Sequence, residues 1–348
     1  MATKIDFQRQ ELVFLLGAGA SVDAGMPTVA ELTKKLREHL PSMPDVNRLL
    51  CPEFEQIFDL FAKGNPSLAE NYERFFEWLE FLIHAHGDPY RKFCEIKIDP
   101  RLLQKMVDIR FVIGDEIAKI LGSYATTPHY LAHFEDFIPE PGRLKIFTLN
   151  YDCCLEDACF KAAIDLITGF DPNTKKWNPL LFDKGGQGIN LYKLHGSLRW
   201  FGTRDLTRSD NRFQHHLELM ELIPGEIGSL PPHLDVSRPE LILGPGSKVQ
   251  VDDPYLTLLY EFHLALQQAK VCVVIDFSYG DDHIKTMLGR AFDNGLSILD
   301  VNPSNVISSP FFGEKERYYL LRKKAKEAVE GRDLVNAIHE FMQDGKFI

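Results

Sequence analysis

No apolar run in this chain of 348 residues is long enough to span a bilayer. No basic leader followed by an apolar core opens it, so the expected location is cytoplasmic, with no membrane partner. Positive charge is in short supply. The chain carries 39 Lys and Arg against 50 Asp and Glu, a formal net charge of -11. A chain of that sign is a poor general binder of nucleic acid, and no direct nucleic-acid partner is expected. Paired cysteines are missing as well. The six cysteines are Cys51, Cys94, Cys153, Cys154, Cys159 and Cys272, and none forms a C-x-x-C pair. Structural zinc sites usually draw on such pairs, so no zinc is expected. Cys153, Cys154 and Cys159 read instead as small core residues in a reduced compartment. His84 with His86, His129 with His133, and His215 with His216 stand at spacings that could bind metal. No carboxylate or cysteine stands beside them in a familiar ligand pattern. Internal repeats and low-complexity segments are absent too.

What is present is a globular composition, 45% hydrophobic and 26% charged. The organising stretch runs from Glu11 to Leu36. A short apolar run, Leu12 to Leu16, has the character of a buried strand. It breaks at Gly17-Ala18-Gly19-Ala20-Ser21 and resumes after Pro27 in a helical pattern. Strand, glycine turn and helix together suggest a phosphate-binding crossover. The same spacing also suits an ordinary strand-to-helix turn that needs glycine. The dinucleotide fingerprint is incomplete, because its third glycine would fall at Val22.

From Glu31 to about Gly122 the pattern is mainly helical. Phe54, Ile57, Phe58 and Phe61 lie at helical spacing, as do Phe75, Leu79, Phe81 and Leu82. A third helix is expected over Leu102 to Leu121. Pro139 to Gly142 closes this block. Buried strands are expected at Leu144 to Leu149, Asn190 to Leu194, Val271 to Ile275 and Leu296 to Val301. Residues 202 to 235 read as a polar, irregular surface flap. The tail from Glu314 reads as two charged helices separated by Gly331. The expected fold is α/β: a Rossmann-like, doubly wound, mainly parallel sheet with a large helical insertion. The sheet would come from residues 11–30 and 144–304 and the insertion from about 31–140. One domain would span 1–310, followed by a C-terminal helical appendage, 311–348.

Four polar strand ends stand out together: GAGAS, TLNYD, KLHGS and DFSYGDD, with Asn302 after the last strand. Their order resembles the sirtuin superfamily. There the pattern runs GAGxS with a later G-x-P, then T-x-N-x-D, then HG, then G-x-S, then an asparagine. Here these positions are Gly17 to Ser21 with Gly25-Met26-Pro27, Thr148 to Asp152, His195-Gly196, Phe277-Ser278 and Asn302. The wordings N-Y-D, K-L-H-G-S and S-x-G-D-D-H-I are similar to the sirtuin-like NADases of bacterial anti-phage defence. Departures favour that zinc-less branch over the deacylases. No cysteine pair follows His195, and no aromatic-arginine pair follows Pro27. Asp276 stands where these proteins usually have glycine.

The resemblance implies an NAD+ hydrolase that cleaves the nicotinamide–ribose bond and depletes NAD+ during phage infection. NAD+ would be the substrate. Asn150 and His195 would be catalytic, Asn150 positioning ribose hydroxyls and the attacking water, and His195 acting as a base. Gly17, Ala18, Gly19, Ser21, Asp23, Asp152, Ser278 and Asn302 would hold the dinucleotide. The bond broken resembles a glycosidic bond, with positive charge building on the sugar. Residue by residue, blander readings stay open. Asn150 also suits a helix cap, and His195 a satisfied core histidine. A non-catalytic NAD+ or ADP-ribose sensor is the alternative function, and a protein deacylase the less favoured one. The resemblance also implies a homo-oligomer, and leaves room for a separately encoded ATPase, helicase or nuclease subunit.

Overall fold

The computed structural model describes residues 11–39, 59, 62–63, 71–84, 100–207, 218–223, 225–243, 253–303 and 317–344. Cys51, Cys94, His86, His215, His216, Phe54, Ile57, Phe58 and Phe61 lie outside the described residues. Two compact units are formed. The first takes its described residues from Met1–Met26, Ala125–Glu240 and Val249–Ile348, the second from Pro27–Tyr124 and Leu241–Lys248.

The first unit is built on a seven-stranded sheet in the order β10-β9-β8-β1-β2-β4-β3. Its strands are β1 (Leu12–Leu16), β2 (Arg143–Thr148), β3 (Leu166–Ile167), β4 (Gly188–Lys193), β8 (Val271–Ile275), β9 (Ser297–Val301) and β10 (Tyr318–Leu321). Every pairing in it is parallel. Parallel sheets are covered on both faces, so their strands read as continuous apolar runs, as LVFLL and VCVVI do. On one face Val13, Leu15, Cys272, Val274 and Ile298 pack with α5 (Tyr255–Gln268) and α6 (Asp282–Asp293) through Phe262, Leu288 and Phe292. On the other, Phe14 meets Phe134 and Phe137 edge-on at 5.1 and 5.2 Å. Those two rings belong to a 3-10 helix, His129–Phe137. Burying each such ring is worth about 2 kcal/mol.

The chain leaves β1 for β2 on one side and reaches β8, on the other side, only much later. The carboxyl ends of β1 and β8 therefore form a topological switch point, the usual ligand crevice of such sheets.

Three features differ from the sequence reading. The glycine turn does not feed a helix directly, because a 3-10 helix, Ala18–Ala24, intervenes before α1 (Val29–His39). The stretch read as an irregular flap contributes to a second sheet, β6-β5-β7, from β5 (Gly196–Asp205), β6 (Glu218–Glu221) and β7 (Leu234–Leu241). The tail begins with β10 before α7 (Ala325–Glu330) and α8 (Arg332–Asp344). Charged neighbours hide a four-residue strand that is only half-buried, with no alternation to betray it.

The second unit is helical. Thr28 and Glu31 form a capping box at the start of α1, with N···O distances of 2.8 and 3.2 Å. The α1 residue Thr33 accepts the Tyr72 amide at 2.9 Å, at the start of α2 (Tyr72–His84). Leu32 and Leu36 of α1, Phe75 and Leu79 of α2, and Ile109, Ile113 and Ile117 of α3 (Pro100–Gly122) are buried.

Candidate active site at the carboxyl edge of the sheet

Ladder register brings the polar strand ends to one edge. Leu16 pairs with both Thr148 and Ile275, and Thr148 pairs with Lys193. The bonding continues past the strands. The Leu149 amide donates to Leu16 O at 3.0 Å, and the Leu194 amide to Thr148 O at 2.9 Å. The Gly17 amide donates to Ile275 O at 2.8 Å, and the Asp276 amide to Val301 O at 2.8 Å. Gly17, Asp276 and Asn302 thus leave the sheet at one level, with Asn150 and His195 one residue further on.

Asn150 is buried beside the 3-10 helix that follows β1. Its Nδ2 donates to Ser21 Oγ at 3.1 Å, and its backbone amide to Thr148 Oγ1 at 3.1 Å. Its Oδ1 is buried and has no hydrogen-bond partner among the described residues. A buried acceptor without a donor loses its hydration for nothing in return, so this atom fits a ligand hydroxyl or water. Asn150 caps no helix here. The N-cap of α4 (Cys154–Ala162) is Cys153, and Asp152 Oδ1, one residue earlier, accepts the Cys154 amide at 2.9 Å.

The turn carrying His195 is stitched to the same loop. Beyond the Leu194 bond, the Leu198 amide donates to Tyr151 O at 3.0 Å. Lys193 anchors both from below. Its Nζ donates to Asp152 O and, at 2.8 Å, to Glu156 Oε1. Burial works against the Lys193 charge, but Glu156 foremost outweighs it and holds the ammonium protonated. Removing either partner would strand a buried charge. The neighbouring thiols are inert in character: burial pushes Cys153 and Cys159 up to about 12.

His195 is 3% exposed, and its Nε2 lies 3.1 Å from Asp281 Oδ2. In the sequence Asp281 stands within the polar DFSYGDD stretch that follows Val271 to Ile275. An S/T/D/N residue before a helical run signals a cap, and Asp281 is the N-cap of α6. Nothing in the linear order tells which side chain its second oxygen meets.

The dinucleotide candidates are spread along the same edge. Ser21 and Asn302 are buried, Ala18 and Ser278 exposed, Gly19 and Asp23 half-buried. Asp276 adopts φ 51°, the left-handed region where glycine is at ease. A Cβ on Gly19 would lie 2.6 Å from Asp276 Cβ, and one on Gly17 would lie 2.6 Å from Phe277 Cα. The bare glycines therefore admit the loop after β8. Asp276 is pushed up to about 6, by burial first, then against an opposing hydrogen bond from the Ala325 amide, with Asp23 and Asp300 raising it further. The Lys326 amide reaches Asp23 Oδ2 at 3.3 Å. The start of α7 thus sits on the two carboxylates that flank the glycine turn. Asp300, in β9, accepts Tyr279 and Tyr318 hydroxyls at 2.8 and 2.9 Å and is pushed up to about 6 by burial. Among the described residues, no three or more His, Cys, Asp and Glu side chains group as for a metal ion. Among the same residues, no helix is long and apolar enough to cross a membrane.

A family model described as a SIR2-like domain matches residues 144–325, just over half of the chain. The chain belongs to the SIR2-like family. The matched stretch carries Asn150, His195, Ser278, Asp281 and Asn302, while the glycine turn precedes it. Similar solved structures include a Sir2 homolog–NAD complex, 17% identical, covering 94% of this chain and 89% of that one at a TM-score of 0.44. A Sir2 homologue mutant bound to ADP ribose is 17% identical, with 96% and 93% coverage and a TM-score of 0.45. A Sir2 homologue mutant bound to 2'-O-acetyl ADP ribose is 18% identical, with 94% and 92% coverage and a TM-score of 0.43. No curated protein matches the chain.

Proposed function

We propose that this SIR2-like protein is an NAD+ glycohydrolase. The observation that carries the reading is the buried Oδ1 of Asn150, unpartnered among the described residues, which follows β2 and lies against Ser21 of the loop after β1, beside the switch point of the sheet. Hydrolysis of the nicotinamide–ribose bond adds water to the ribose carbon, releases nicotinamide with the bonding electron pair and frees one proton. Asn150, held through Nδ2 by Ser21, offers Oδ1 to a ribose hydroxyl or to the attacking water. His195, on the turn stitched to the Asn150 loop, takes the proton. The backbone amides of the turn at Ala18 and Gly19 serve a diphosphate, with Ser278 and Asn302 on the adjoining strand ends. Asp152 serves the nicotinamide amide, and Asp23 the ribose or the phosphate loop.

The biological reading is NAD+ depletion in anti-phage defence by a cytoplasmic homo-oligomer. It rests on the N-Y-D, K-L-H-G-S and S-x-G-D-D-H-I wordings. A sensing subunit that binds NAD+ or ADP-ribose without turnover is the second reading. The contacts of the α7 amides with Asp23 and Asp276 favour it, because they cover part of the edge that the dinucleotide would need. Timed incubation of the pure full-length chain with NAD+, followed by chromatography, separates the two. Nicotinamide and ADP-ribose accumulating in equal amounts supports the hydrolase. Binding without products supports the sensor.

A further inference from the structure

His195 and Asp281 come from strand ends that are not neighbours. β4 and β8 are separated in the sheet by β1 and β2. Yet Nε2 of His195 and Oδ2 of Asp281 lie 3.1 Å apart, and both side chains are almost wholly buried. The two oxygens of Asp281 have different partners. Oδ1 accepts the His283 amide at 2.9 Å and the Ile284 amide at 3.1 Å, the N-cap of α6. Those two bonds fix the carboxylate plane and leave Oδ2 beside the imidazole, within ion-pair distance of Nε2. The helix N-terminus also favours negative charge at that point.

We propose that Asp281 is the positioning residue of His195, referencing its ring to the start of α6 and stabilising the protonated ring during turnover. The proposal rests on the hydrolase reading for the word turnover, but the contact itself does not. A carboxylate at hydrogen-bond distance in a dry site interacts strongly with an imidazolium. It also holds the ring against rotation, which a base needs in order to meet its proton along one direction. Other titratable groups border the same turn. A Cβ on Gly196 would sit 3.1 Å from the Tyr255 hydroxyl of α5, beside Glu240 of β7. Lys193 Nζ is engaged by Glu156 and Asp152 O.

Asn and Ser are as good as Asp at an N-cap. Asp281→Asn therefore keeps the cap and removes the charge, while Asp281→Ser keeps the cap and removes the reach to His195. The test uses the full chain with histidine labelled at Cε1, the His195 signal being assigned by its loss in His195→Gln. The expected result has three parts. Both cap-retaining variants melt close to wild type. His195 titrates at lower pH in Asp281→Asn than in wild type. Nicotinamide release falls roughly 10²-fold in kcat, with KM little changed. An unchanged His195 titration in both variants overturns the proposal, as does wild-type turnover in Asp281→Ser, since capping would then be the whole role. Should wild type show no turnover, the titration alone decides the proposal, and the hydrolase reading fails separately.

Discussion

Asp276 occupies the space that a side chain on Gly19 would need: an added Cβ would lie 2.6 Å from its Cβ and 2.7 Å from its Cγ. The two residues follow different strands, and each explains the other. Glycine at 19 permits an acid at 276. The acid stays despite a φ of 51° that disfavours any side chain by about 1 kcal/mol or more.

That relation predicts a rescue. Gly19→Ala should lower the melting temperature, and Asp276→Gly in the same chain should restore it. Gly17→Ala should not be rescued by Asp276→Gly, because its Cβ would meet the backbone of Asp276 and Phe277. Scanning calorimetry of these four variants, beside wild type and Asp276→Gly alone, checks this. Equal rescue of both glycine sites would show that the side chain of Asp276 is not the obstacle.

Stability should respond to pH through Asp300. Its carboxyl is raised from 3.8 to about 6 in the fold. The folded chain therefore holds a proton that the unfolded chain has released between those values. Stability from this group is lost as pH rises through the window and stays lost above it. The rise corresponds to roughly 3 kcal/mol. Asp300→Asn should gain on wild type between pH 4.5 and pH 7.5 in urea unfolding. A difference between the two proteins that is the same at both pH values would contradict the assignment.

Much of this edge is legible in the sequence. Each polar word follows a short apolar run, and parallel strands put such words at one level, so Gly17, Asn150, His195, Asp276 and Asn302 could be grouped from order alone. Runs such as LVFLL and VCVVI are continuous because both sheet faces are covered, which made β1 and β8 legible to the residue. What escaped lacks such a signature. β10 is half-buried throughout, and β5 and β6 mix polar with apolar residues. The partnerships of His195 with Asp281 and of Lys193 with Glu156 escaped for a different reason. They depend on where α6 and α4 begin in space, and a pattern along one segment carries no information about the segment it will face.

The fold should not need zinc. The six cysteines form no C-x-x-C pair, and burial pushes the thiols of Cys153 and Cys159 up to about 12, away from the thiolate form that zinc binds. Elemental analysis should find no stoichiometric zinc, and a chelator should leave the circular dichroism unchanged. One zinc per chain with unfolding on chelation would refute this.

Asn150→Ala leaves Ser21 Oγ without its donor and should lower stability by about 1 kcal/mol. Its larger effect should fall on chemistry. Nicotinamide release should drop by about 10²-fold or more, through lost positioning. Calorimetric NAD+ affinity should be largely retained, because the glycine turn is untouched. A variant that loses affinity in proportion to rate would make Asn150 a binding residue only.

The central claim is that the His195 edge of this SIR2-like sheet hydrolyses NAD+. Its most direct test is the rate of nicotinamide formation by wild type and His195→Ala at saturating NAD+, with folding of both verified by circular dichroism. Wild type should release nicotinamide steadily, and the variant at a rate near background. A variant that keeps most of the wild-type rate, or a wild type that binds NAD+ tightly and releases nothing, would contradict it.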